Sequence, residues 1–526
     1  MTQTANNYSR ARIRRCLILS VALVLWVLSS QANTITWTGA GSGDWGTAAN
    51  WSPQVVPGSS DDVQIGLAVF TNQPALSGVF TCATMTIGSR QPVVVTIASG
   101  AALTVSGAVT LMHSEDNLVP GTTFTGSGSL TCGSLVIGNG ITSKIIAFKT
   151  NVLISTLGNF TVMGNVFVNS ASTALLSGGL GHNNSFFSLQ GGQFTVGGQI
   201  MMTNLVPAYL PGAMGSSTPS SRFSMDIPAG QSAKLKVSGS AALTINNAAW
   251  GAADFYNGAG SSTVEYAGDN QIIATTATAG VDGSPVVYNN LVVSGTATKR
   301  TESSSGDVLG VSGLLTIFSG TLDLQVNRAW VSAGGDFLNT GAIKLSGAAF
   351  AGGHFTNKGS LTTLDDTVQF TGGNQLLADS TAAGTVLKNT IFNTGTKTIS
   401  TGNYIIAPGG NWKMADDSTM VGISVGAQLS FRSDNTGQSA MTFKSVSPGT
   451  HGSLKSSIRW NLAGNVLKPA LLNGARHAVN RPGKAAAAKA GKHAPPDRRS
   501  AFFRHNNNIS VRPTKNNRHY SGQIPS

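Results

Sequence analysis

The chain is poor in charge and in aromatic side chains, and it lacks the recurrent Lys–Glu spacing of surface helices. Charged residues make up 10% and aromatic residues 7% of its 526 residues. Glycine accounts for 64 residues, about 12% against a usual ~7%, among abundant Thr, Ser, Val, Leu and Ile. This composition predicts an all-β protein with many turns. Apolar residues total 41%, which together with the sparse charge argues against a disordered body.

Cysteine is also scarce, with three in the chain. Cys82 and Cys132 occupy matching positions, 50 residues apart, in the phrases SGVFTCATMTIGS and SGSLTCGSLVIGN. If these phrases belong to stacked coils, two coils separate the cysteines by ~9.6 Å. That exceeds the ~7 Å Cα separation that a disulfide can span. Two buried thiols are therefore favoured over the disulfide that an exported pair would otherwise suggest.

No apolar run reaches the ~20 residues of a membrane-spanning helix. The apolar segment Leu17–Leu28 follows four arginines in residues 1–15 and precedes the small-x-small sequence Ser30-Gln31-Ala32. This order predicts a cleaved signal peptide over residues 1–32, with a retained membrane anchor as the alternative. We expect a mature protein that begins near Asn33, has no transmembrane segment, and is secreted or located at the cell surface.

The net charge of +13 belongs to the ends of the chain. Residues 455–526 carry 14 Lys or Arg against one Asp, whereas residues 16–454 carry 16 basic and 20 acidic residues. The body offers no basic surface, so no nucleic-acid partner is expected. For the basic tail we predict disorder and hypothesise an anionic envelope polymer as partner. A nucleic-acid-binding arm and a non-functional end of the reading frame are the alternatives.

Repeated phrases run through the body. TVEYAGDNQIIA at Thr263–Ala274 returns as TVQFTGGNQLLA at Thr367–Ala378, and each copy is followed by a second shared phrase. Apolar residues alternate with polar ones in short strands between Gly, Asn or Asp turns. One such unit cannot bury its apolar face alone, so stacking is expected. The pattern predicts a parallel β-helix (β-solenoid) of ~20–25 residues per coil, in preference to an array of β-sandwiches.

Changes in composition divide the chain into six segments. Proline and serine concentrate at 204–221, and the alternation of apolar residues stops near residue 454. The predicted segments are a signal peptide at 1–32, an N-terminal cap segment at 33–66, a first solenoid block at 67–203, a loop or insertion at 204–221, a second solenoid block at 222–453 and a disordered basic tail at 454–526.

The sequence lacks the HExxH motif, the phosphate-binding loop and a zinc-binding cysteine spacing. Adjacent carboxylates point to opposite faces of a strand, so the pairs at 61–62, 365–366 and 416–417 indicate turns or strand starts, with weak Ca²⁺ binding as the alternative. The run His113–Asp116 reads as a solvated loop. No catalytic residue, cofactor or metal is assigned. A polysaccharide lyase or glycoside hydrolase remains the alternative, because β-helix active sites assemble from different coils without a local motif.

Residues 35–66 are the exception to the scarcity of aromatic side chains. They contain Trp37, Trp45 and Trp51, three of the eight tryptophans in the chain. The first coil of a solenoid has no neighbour on one side, and large apolar side chains can cover it. We therefore predict an N-terminal cap. A glycan-binding module in which these three indoles stack on sugar rings, and a metal site at the neighbouring carboxylates, are the alternatives.

The tryptophan-rich opening and the phrases of Thr263–Thr296 resemble those of bacterial secreted β-strand-repeat proteins. These are similar to autotransporter-passenger and filamentous-haemagglutinin-like surface proteins, and the resemblance covers most of residues 33–450. It implies a right-handed parallel β-solenoid at the cell surface, used in adhesion, matrix or envelope structure. The expected function is therefore structural or adhesive contact with cell-surface or matrix glycans or proteins, without catalysis.

Overall fold

The computed structural model describes most of residues 33–443 and four short strands beyond them. The described residues are 33–88, 90–112, 121–138, 149–174, 180–205, 221–225, 227–239, 260–275, 286–301, 307–364, 367–414, 420–423, 428–433, 440–443, 459–462, 465–467, 507–511 and 522–523. Outside them lie the predicted signal peptide at 1–32, most of the predicted insertion, the loop at 113–116 and the carboxylate pairs at 365–366 and 416–417.

Strands make up 57% of the structure, and the described residues include no α-helix. A 3₁₀-helix at Ala48–Asn50 is the exception within the N-terminal segment. The alternation of apolar and polar residues explains the strands, because successive side chains of a strand point to opposite faces. In Val93–Ile97, for example, the first, third and fifth residues are buried and the two between them are half-buried. The prediction of an all-β chain is confirmed.

Two compact units make up the chain, one ending at Ser224 and the other beginning at Met225. The strands of the first unit are β1 Thr34–Trp37, β2 Trp51–Ser52, β3 Asp62–Ile65, β4 Ala75–Leu76, β5 Val79–Cys82, β6 Thr84–Ile87, β7 Val93–Ile97, β8 Ala102–Leu111, β9 Thr122–Thr125, β10 Ser129–Ile137, β11 Lys149–Ser155, β12 Asn159–Val162, β13 Val166–Ala174, β14 Leu180–Leu189, β15 Gly192–Val196, β16 Ile200–Leu205 and β17 Ser221–Ser224.

In the first unit, strands from successive coils pair in parallel to form three ladders. Ladder 1 contains β1, β3, β6, the second halves of β8 and β10, β13 and β16. Ladder 2 contains β5, the first halves of β8 and β10, β12 and β15. Ladder 3 contains β4, β7, β9, β11, β14 and β17.

The second unit continues with shorter strands. They are β18 Ser232–Val237, β19 Ser261–Tyr266, β20 Ile272–Ile273, β21 Val287–Tyr288, β22 Asn290–Val293, β23 Thr298–Thr301, β24 Val308–Val311, β25 Leu315–Ile317, β26 Thr321–Asp323, β27 Trp330–Ala333, β28 Phe337–Asn339, β29 Ala342–Leu345, β30 Gly347–Phe350, β31 Phe355–Asn357, β32 Ser360–Thr363, β33 Thr367–Phe370, β34 Gln375–Asp379, β35 Thr385–Phe392, β36 Thr396–Thr401, β37 Asn403–Met414, β38 Met420–Ile423, β39 Gln428–Ser433, β40 Ala440–Phe443, β41 Arg459–Leu462, β42 Asn465–Leu467, β43 Asn507–Val511 and β44 Gly522–Gln523.

Three parallel ladders also build the second unit. Ladder 4 contains β18, β19, β22, β25, β28, β31, β34, β36 and β38. Ladder 5 contains β20, β23, β26, β29 and β32. Ladder 6 contains β21, β24, β27, β30, β33, β35, β37, β39 and β41. From β19 to β33 the chain visits the three ladders in a fixed order, which is compatible with a β-solenoid.

Four short strands, β41 to β44, lie within the predicted tail at 454–526. β42 pairs antiparallel with β41, and β43 pairs antiparallel with both β40 and β44. The remainder of the tail lies outside the described residues, so its disorder stays a prediction.

The length of a coil varies more than the predicted ~20–25 residues. Partners on adjacent parallel strands are as close in sequence as Trp330 and Gly347, 17 residues apart, and as distant as Ser185 and Ser221, 36 residues apart. The strands must stay in register, but the corners between them are surface loops of different lengths. A loop tolerates added residues at small entropic cost, so the repeat need not have a strict period.

The core consists of apolar side chains stacked from coil to coil. On ladder 6, Phe350, Phe370 and Phe392 occupy the same register position on successive strands. Their ring centroids are 5.6 Å apart at both steps, with interplanar angles of 26° and 15°. Such stacking removes the inward faces of neighbouring strands from water, which supplies the main favourable term in folding.

The two cysteines stand in one column of ladder 2. Cys82 is the register partner of Val105, and Val105 is the partner of Cys132 on its other side. Both thiols are buried and free. The prediction of two buried thiols, two coils apart, is confirmed, since one intervening strand keeps the sulfur atoms too far apart to bond.

Candidate functional site

An outward column of five threonines runs along ladder 2. Thr81, Thr104, Thr131, Thr161 and Thr195 are register partners on five successive strands. Strands in a sheet are ~4.8 Å apart, so the column extends over about 19 Å. We call these five residues the threonine column. Thr81 and Thr104 are exposed, and the other three are half-buried.

The threonine column follows from a phrase that recurs once per coil. Each threonine lies between two apolar residues, in FTC, LTV, LTC, FTV and FTV. In four of the five phrases the residues on both sides of the threonine are buried, which turns the hydroxyl outward by the alternation of a strand. No functional residue was predicted here from the sequence, although this recurring phrase was the available signal.

The hydroxyls of the column are available for contact with a partner. Thr195 Oγ1 accepts a hydrogen bond from Gln193 Nε2 at 3.2 Å. The hydroxyls of Thr104 and Thr131 form no side-chain hydrogen bond with the part of the chain that the structure describes. The column therefore presents uncharged donors and acceptors at a constant spacing. That arrangement suits repeated weak hydrogen bonds to an extended partner.

The three N-terminal tryptophans form a compact interior cluster. Trp37, Trp45 and Trp51 are each exposed by 1% or less. The Trp51 ring centroid lies 4.8 Å from that of Trp37 and 4.7 Å from that of Trp45, both in edge-to-face geometry. The indole faces pack against one another and offer no surface to a sugar. The alternative of a glycan platform at these residues therefore lacks the exposed aromatic face that stacking requires.

Most polar groups around the cluster form hydrogen bonds within the fold, although Trp45 Nε1 is buried and has no partner among the described residues. Trp51 Nε1 donates to the backbone oxygen of Trp45 at 2.8 Å, and Trp37 Nε1 donates to that of Asn72 at 2.8 Å. The buried Asn50 accepts from the backbone N–H of Ser42 at 2.7 Å and donates to the backbone oxygen of Asp44 at 2.7 Å. These bonds hold the loop around the indoles, as expected for a folded end segment.

The carboxylates near the cluster stabilise a turn. Asp61 Oδ2 accepts the backbone N–H of Gly58 at 2.8 Å, and Asp62 begins β3 and accepts the Thr84 hydroxyl at 2.5 Å. The predicted turn or strand-start role is confirmed for this pair. No group of three or more metal-ligating side chains occurs among the residues that the structure describes.

Two buried lysines in the second unit were not predicted. Lys397 Nζ donates to the backbone oxygens of Asn393 at 2.9 Å and, more closely, of Gly372 and Thr394. Lys299 Nζ likewise donates to the oxygen of Ser294. Burial lowers the pKa of Lys299, opposed by the charge of Asp269. Both ammonium groups bind main-chain carbonyls. Those bound by Lys397 come from two corners, at Gly372 and at Asn393, whereas those bound by Lys299, at Ser294 and Ala297, lie within five residues of it.

Comparison with known proteins gives no relative of this chain. No family model matches it, and neither a curated protein nor a solved structure does. None of the helices in the described ranges has the length and apolar character to cross a membrane. Function must therefore be inferred from the ladders and the surfaces that they present.

Proposed function

We propose that the chain is an exported, non-catalytic β-solenoid that contacts cell-surface or matrix glycans or proteins through outward columns of side chains. The observation that carries this proposal is the threonine column, in which one hydroxyl recurs on each of five successive strands. Each contact is weak, but contacts that repeat at a fixed spacing on one rigid body add up to strong attachment. The resemblance to secreted bacterial repeat proteins supports the same reading.

The matched comparison is between two sets of threonine substitutions on different ladders. The column variant carries Thr104→Val, Thr131→Val and Thr161→Val. The control carries Thr36→Val, Thr86→Val and Thr110→Val, three outward positions of ladder 1. Valine keeps the shape and the strand preference of threonine and removes only the hydroxyl. Both variants should therefore fold, which the far-ultraviolet circular dichroism and the unfolding midpoint will show.

The binding measurement uses the full mature chain on a glycan array and on intact cells. We expect the wild-type chain to be retained and the column variant to lose about tenfold or more of its apparent affinity, since three hydrogen-bonding groups are removed together. The control should change less than about threefold. If the column variant and the control bind glycans and cells equally well, the threonine column is not the contact surface. Release of new reducing ends or unsaturated products from any bound polysaccharide would refute the non-catalytic part.

The proposed architecture includes a right-handed winding and an N-terminal cap at 33–66. Connections between parallel strands of one sheet are almost always right-handed, which supports the winding. β1 pairs in parallel with β3 and antiparallel with β2, so β2 occupies the edge of β1 that faces away from the next coil. Covering such an edge blocks pairing with other chains. The buried tryptophan cluster supplies the apolar area that the first coil needs.

Removal of an indole tests the cap. Trp51→Ala should lower the free energy of unfolding by about 3–5 kcal/mol and increase aggregation, because it opens a cavity beside β1. Trp330→Ala is the control, since Trp330 is half-exposed on β27. Aggregation that is equal in the two variants would argue against an end-covering role for residues 33–66.

The proposed location is outside the cytoplasm, with a mature chain that begins near Asn33. The proposal rests on four arginines followed by a short apolar segment and a small-x-small sequence. Mass spectrometry of the protein recovered from the medium or the cell surface should show an N-terminus at or beside Asn33. Recovery of the intact chain from the cytoplasm alone would contradict export. For the basic tail, the proposed partner is an anionic envelope polymer, and attachment should weaken as salt rises.

A further inference from the structure

A surface groove of about 450 Å³ lies on ladder 5 of the second unit. Its lining includes Asn270, Ile272, Thr298, Arg300, Val326 and Asn327. These residues come from three successive coils, because β20 pairs with β23 and β23 pairs with β26. The groove therefore extends about 9.6 Å along the direction in which the strands stack. Its volume falls within the ~300–1,000 Å³ typical of small-ligand sites.

Arg300 carries a positive charge beside this groove that no acid among the described residues neutralises. Its register neighbour on β26 is Asp323, but that carboxylate is already engaged. Asp323 Oδ2 pairs with Lys344 Nζ at 2.9 Å, and Oδ1 accepts the backbone N–H of Gln325 at 3.1 Å. Arg300 is exposed and forms no ion pair within the described ranges, with Asp269 or with any other acid. An exposed guanidinium without a partner is a binding group for a carboxylate or another anion.

Neutral polar groups of the groove are also open to a ligand. The side chains of Asn270 and Thr298 make no hydrogen bond to any residue in the described part of the chain. Asn327 Nδ2 donates to the backbone oxygen of Thr301 at 2.6 Å, which fixes the orientation of the amide. With that amide held, its oxygen can accept a hydrogen bond from a ligand hydroxyl. Among its described lining residues, the groove thus combines one cation with three neutral side chains that have hydrogen-bonding groups open to a ligand.

Apolar side chains flank the arginine. Ile272 is 39% exposed and Val326 is 57% exposed, although large aliphatic residues are usually buried. No aromatic side chain is among the described residues that line the groove, so these residues offer nothing for a nucleobase to stack on. A sugar ring presents C–H groups on its face and hydroxyls at its edge, and a uronic acid adds a carboxylate. That combination matches aliphatic side chains, amides, a hydroxyl and one arginine.

We propose that this groove binds a uronic-acid-bearing oligosaccharide, with Arg300 on the carboxylate and Ile272 and Val326 against the ring face. Asn270, Thr298 and the Asn327 oxygen bind the hydroxyls. The site is separate from the threonine column. Its biological use rests on the proposed contact function, which it extends from glycans in general to acidic ones. The binding itself is measured independently of attachment to surfaces.

Two ligands of the same shape test the role of the charge. The full mature chain is titrated calorimetrically at low salt with tetragalacturonate and with its methyl ester, which lacks the negative charges. We expect the acid to bind about tenfold or more tightly than the ester, because a charge-assisted pair with arginine is the difference between them. Absence of binding of the acid, or equal affinity for the two ligands, would overturn the proposal.

Substitutions assign the preference to the groove. Arg300→Gln should remove most of the preference for the acid and leave the affinity for the ester unchanged. Ile272→Ser should weaken both ligands by similar factors, since it removes ring contact and not charge. Lys358→Gln is the control, because Lys358 is an exposed cation outside the groove and its loss should leave the preference intact. A preference for the acid that survives Arg300→Gln would refute the assignment.

The failure of this proposal is distinguishable from the failure of the proposed function. The column variant leaves ladder 5 unchanged, so its titration with tetragalacturonate should equal that of the wild-type chain. If the column variant keeps its surface attachment and Arg300→Gln loses uronate binding, the groove proposal is supported and the threonine column is refuted as the attachment surface. If the column variant loses surface attachment and Arg300→Gln keeps its uronate binding, the threonine column is supported and the groove proposal is overturned.

Discussion

Gln271 and Gln375 stand 104 residues apart in two copies of one phrase and make equivalent sets of hydrogen bonds. Each amide nitrogen donates to two backbone oxygens at the preceding corner, and each amide oxygen accepts the N–H of a glycine three residues earlier. All six distances lie between 2.9 and 3.1 Å; the partners are Val237, Gly239 and Gly268 for Gln271, and Phe350, Gly353 and Gly372 for Gln375. The repeated phrase therefore encodes a buried polar clamp between neighbouring coils.

Removal of one clamp should be costly. Gln375→Ala leaves two carbonyls and one N–H without their partner in a buried corner, so we expect a loss of about 2–4 kcal/mol in the free energy of unfolding. Urea denaturation of the full chain measures it. Gln369→Ala is the control, because Gln369 lies half-buried on β33, and its change should stay below about 0.5 kcal/mol. A loss of unfolding free energy for Gln375→Ala no larger than that for Gln369→Ala would contradict a stabilising role of the clamp.

Two glycines allow the cost of a left-handed backbone conformation to be measured apart from the cost of a steric clash. Gly100 and Gly192 both have a positive φ, of 77° and 66°. A β-carbon at Gly100 would meet nothing within 4 Å, whereas at Gly192 it would lie 1.8 Å from the backbone oxygen of Leu157. Gly100→Ala should cost about 1 kcal/mol from the left-handed conformation alone. Gly192→Ala should cost at least ~3 kcal/mol, because the backbone of the preceding coil at Leu157 must move. Similar unfolding midpoints would disprove the close approach.

The buried cysteines should resist thiol reagents. Burial raises the pKa of Cys82 to about 12, with the charges of Asp62 and Asp61 adding to it, and burial raises that of Cys132 to about 12. Because the thiolate is the reactive form, the folded mature chain should remain unlabelled by a disulfide reagent at about pH 8. In denaturant both thiols should react within minutes. If neither thiol is labelled in denaturant, and the mass of the chain is two hydrogens below that of the reduced chain, the two cysteines form a disulfide instead.

Glu265 should make the second unit sensitive to acid. Ser294 Oγ donates to its Oε1 at 2.6 Å, Lys236 Nζ lies 3.6 Å from the same oxygen, and Lys234 Nζ contacts Oε2. Burial acts to raise the pKa of Glu265, but these hydrogen bonds and charges outweigh it and lower the pKa. The resulting stabilisation is present above the unfolded pKa of ~4.3 and is lost as pH falls through the lower folded pKa.

The Glu265→Gln variant tests this pH dependence. At neutral pH it should lose about 1–2 kcal/mol of stability relative to the wild-type chain, since the two lysines are only partly buried. At a pH below the folded pKa of Glu265 the difference should disappear, because the carboxyl of the wild-type chain is then protonated as well. Urea denaturation at the two pH values measures both. A difference that does not change with pH would indicate lost packing and not lost charge.

Several features of the fold follow from local sequence. The alternation around Leu103 and Val105 identifies a strand and its buried face, because the period of two is a property of the extended backbone itself. The placement of Cys82 and Cys132 in one column follows from the matching of their phrases. In both cases the information lies within a dozen residues, so no knowledge of distant partners is needed.

Other features were outside the reach of such reasoning. The sequence favours a cap at Trp37, Trp45 and Trp51 and leaves a sugar platform as an alternative, and only the burial of the indoles removes the exposed faces that a platform needs. Lys397 reads as a surface residue, since lysine is almost never fully buried. Its burial is possible because carbonyls from two different corners, at Gly372 and at Asn393, converge on one ammonium group.

The sequence by itself determined the strand content, the inward and outward faces, the parallel stacking of repeated phrases and the reduced cysteines. Those properties depend on periodicity and on short repeated segments. The tertiary structure alone decided which surfaces are available: it buried the tryptophans, aligned five threonines and placed Ile272, Arg300 and Val326 around one groove. Successive members of this trio are 28 and 26 positions apart along the chain. Only the register between coils, set by corners of unequal length, brings them together.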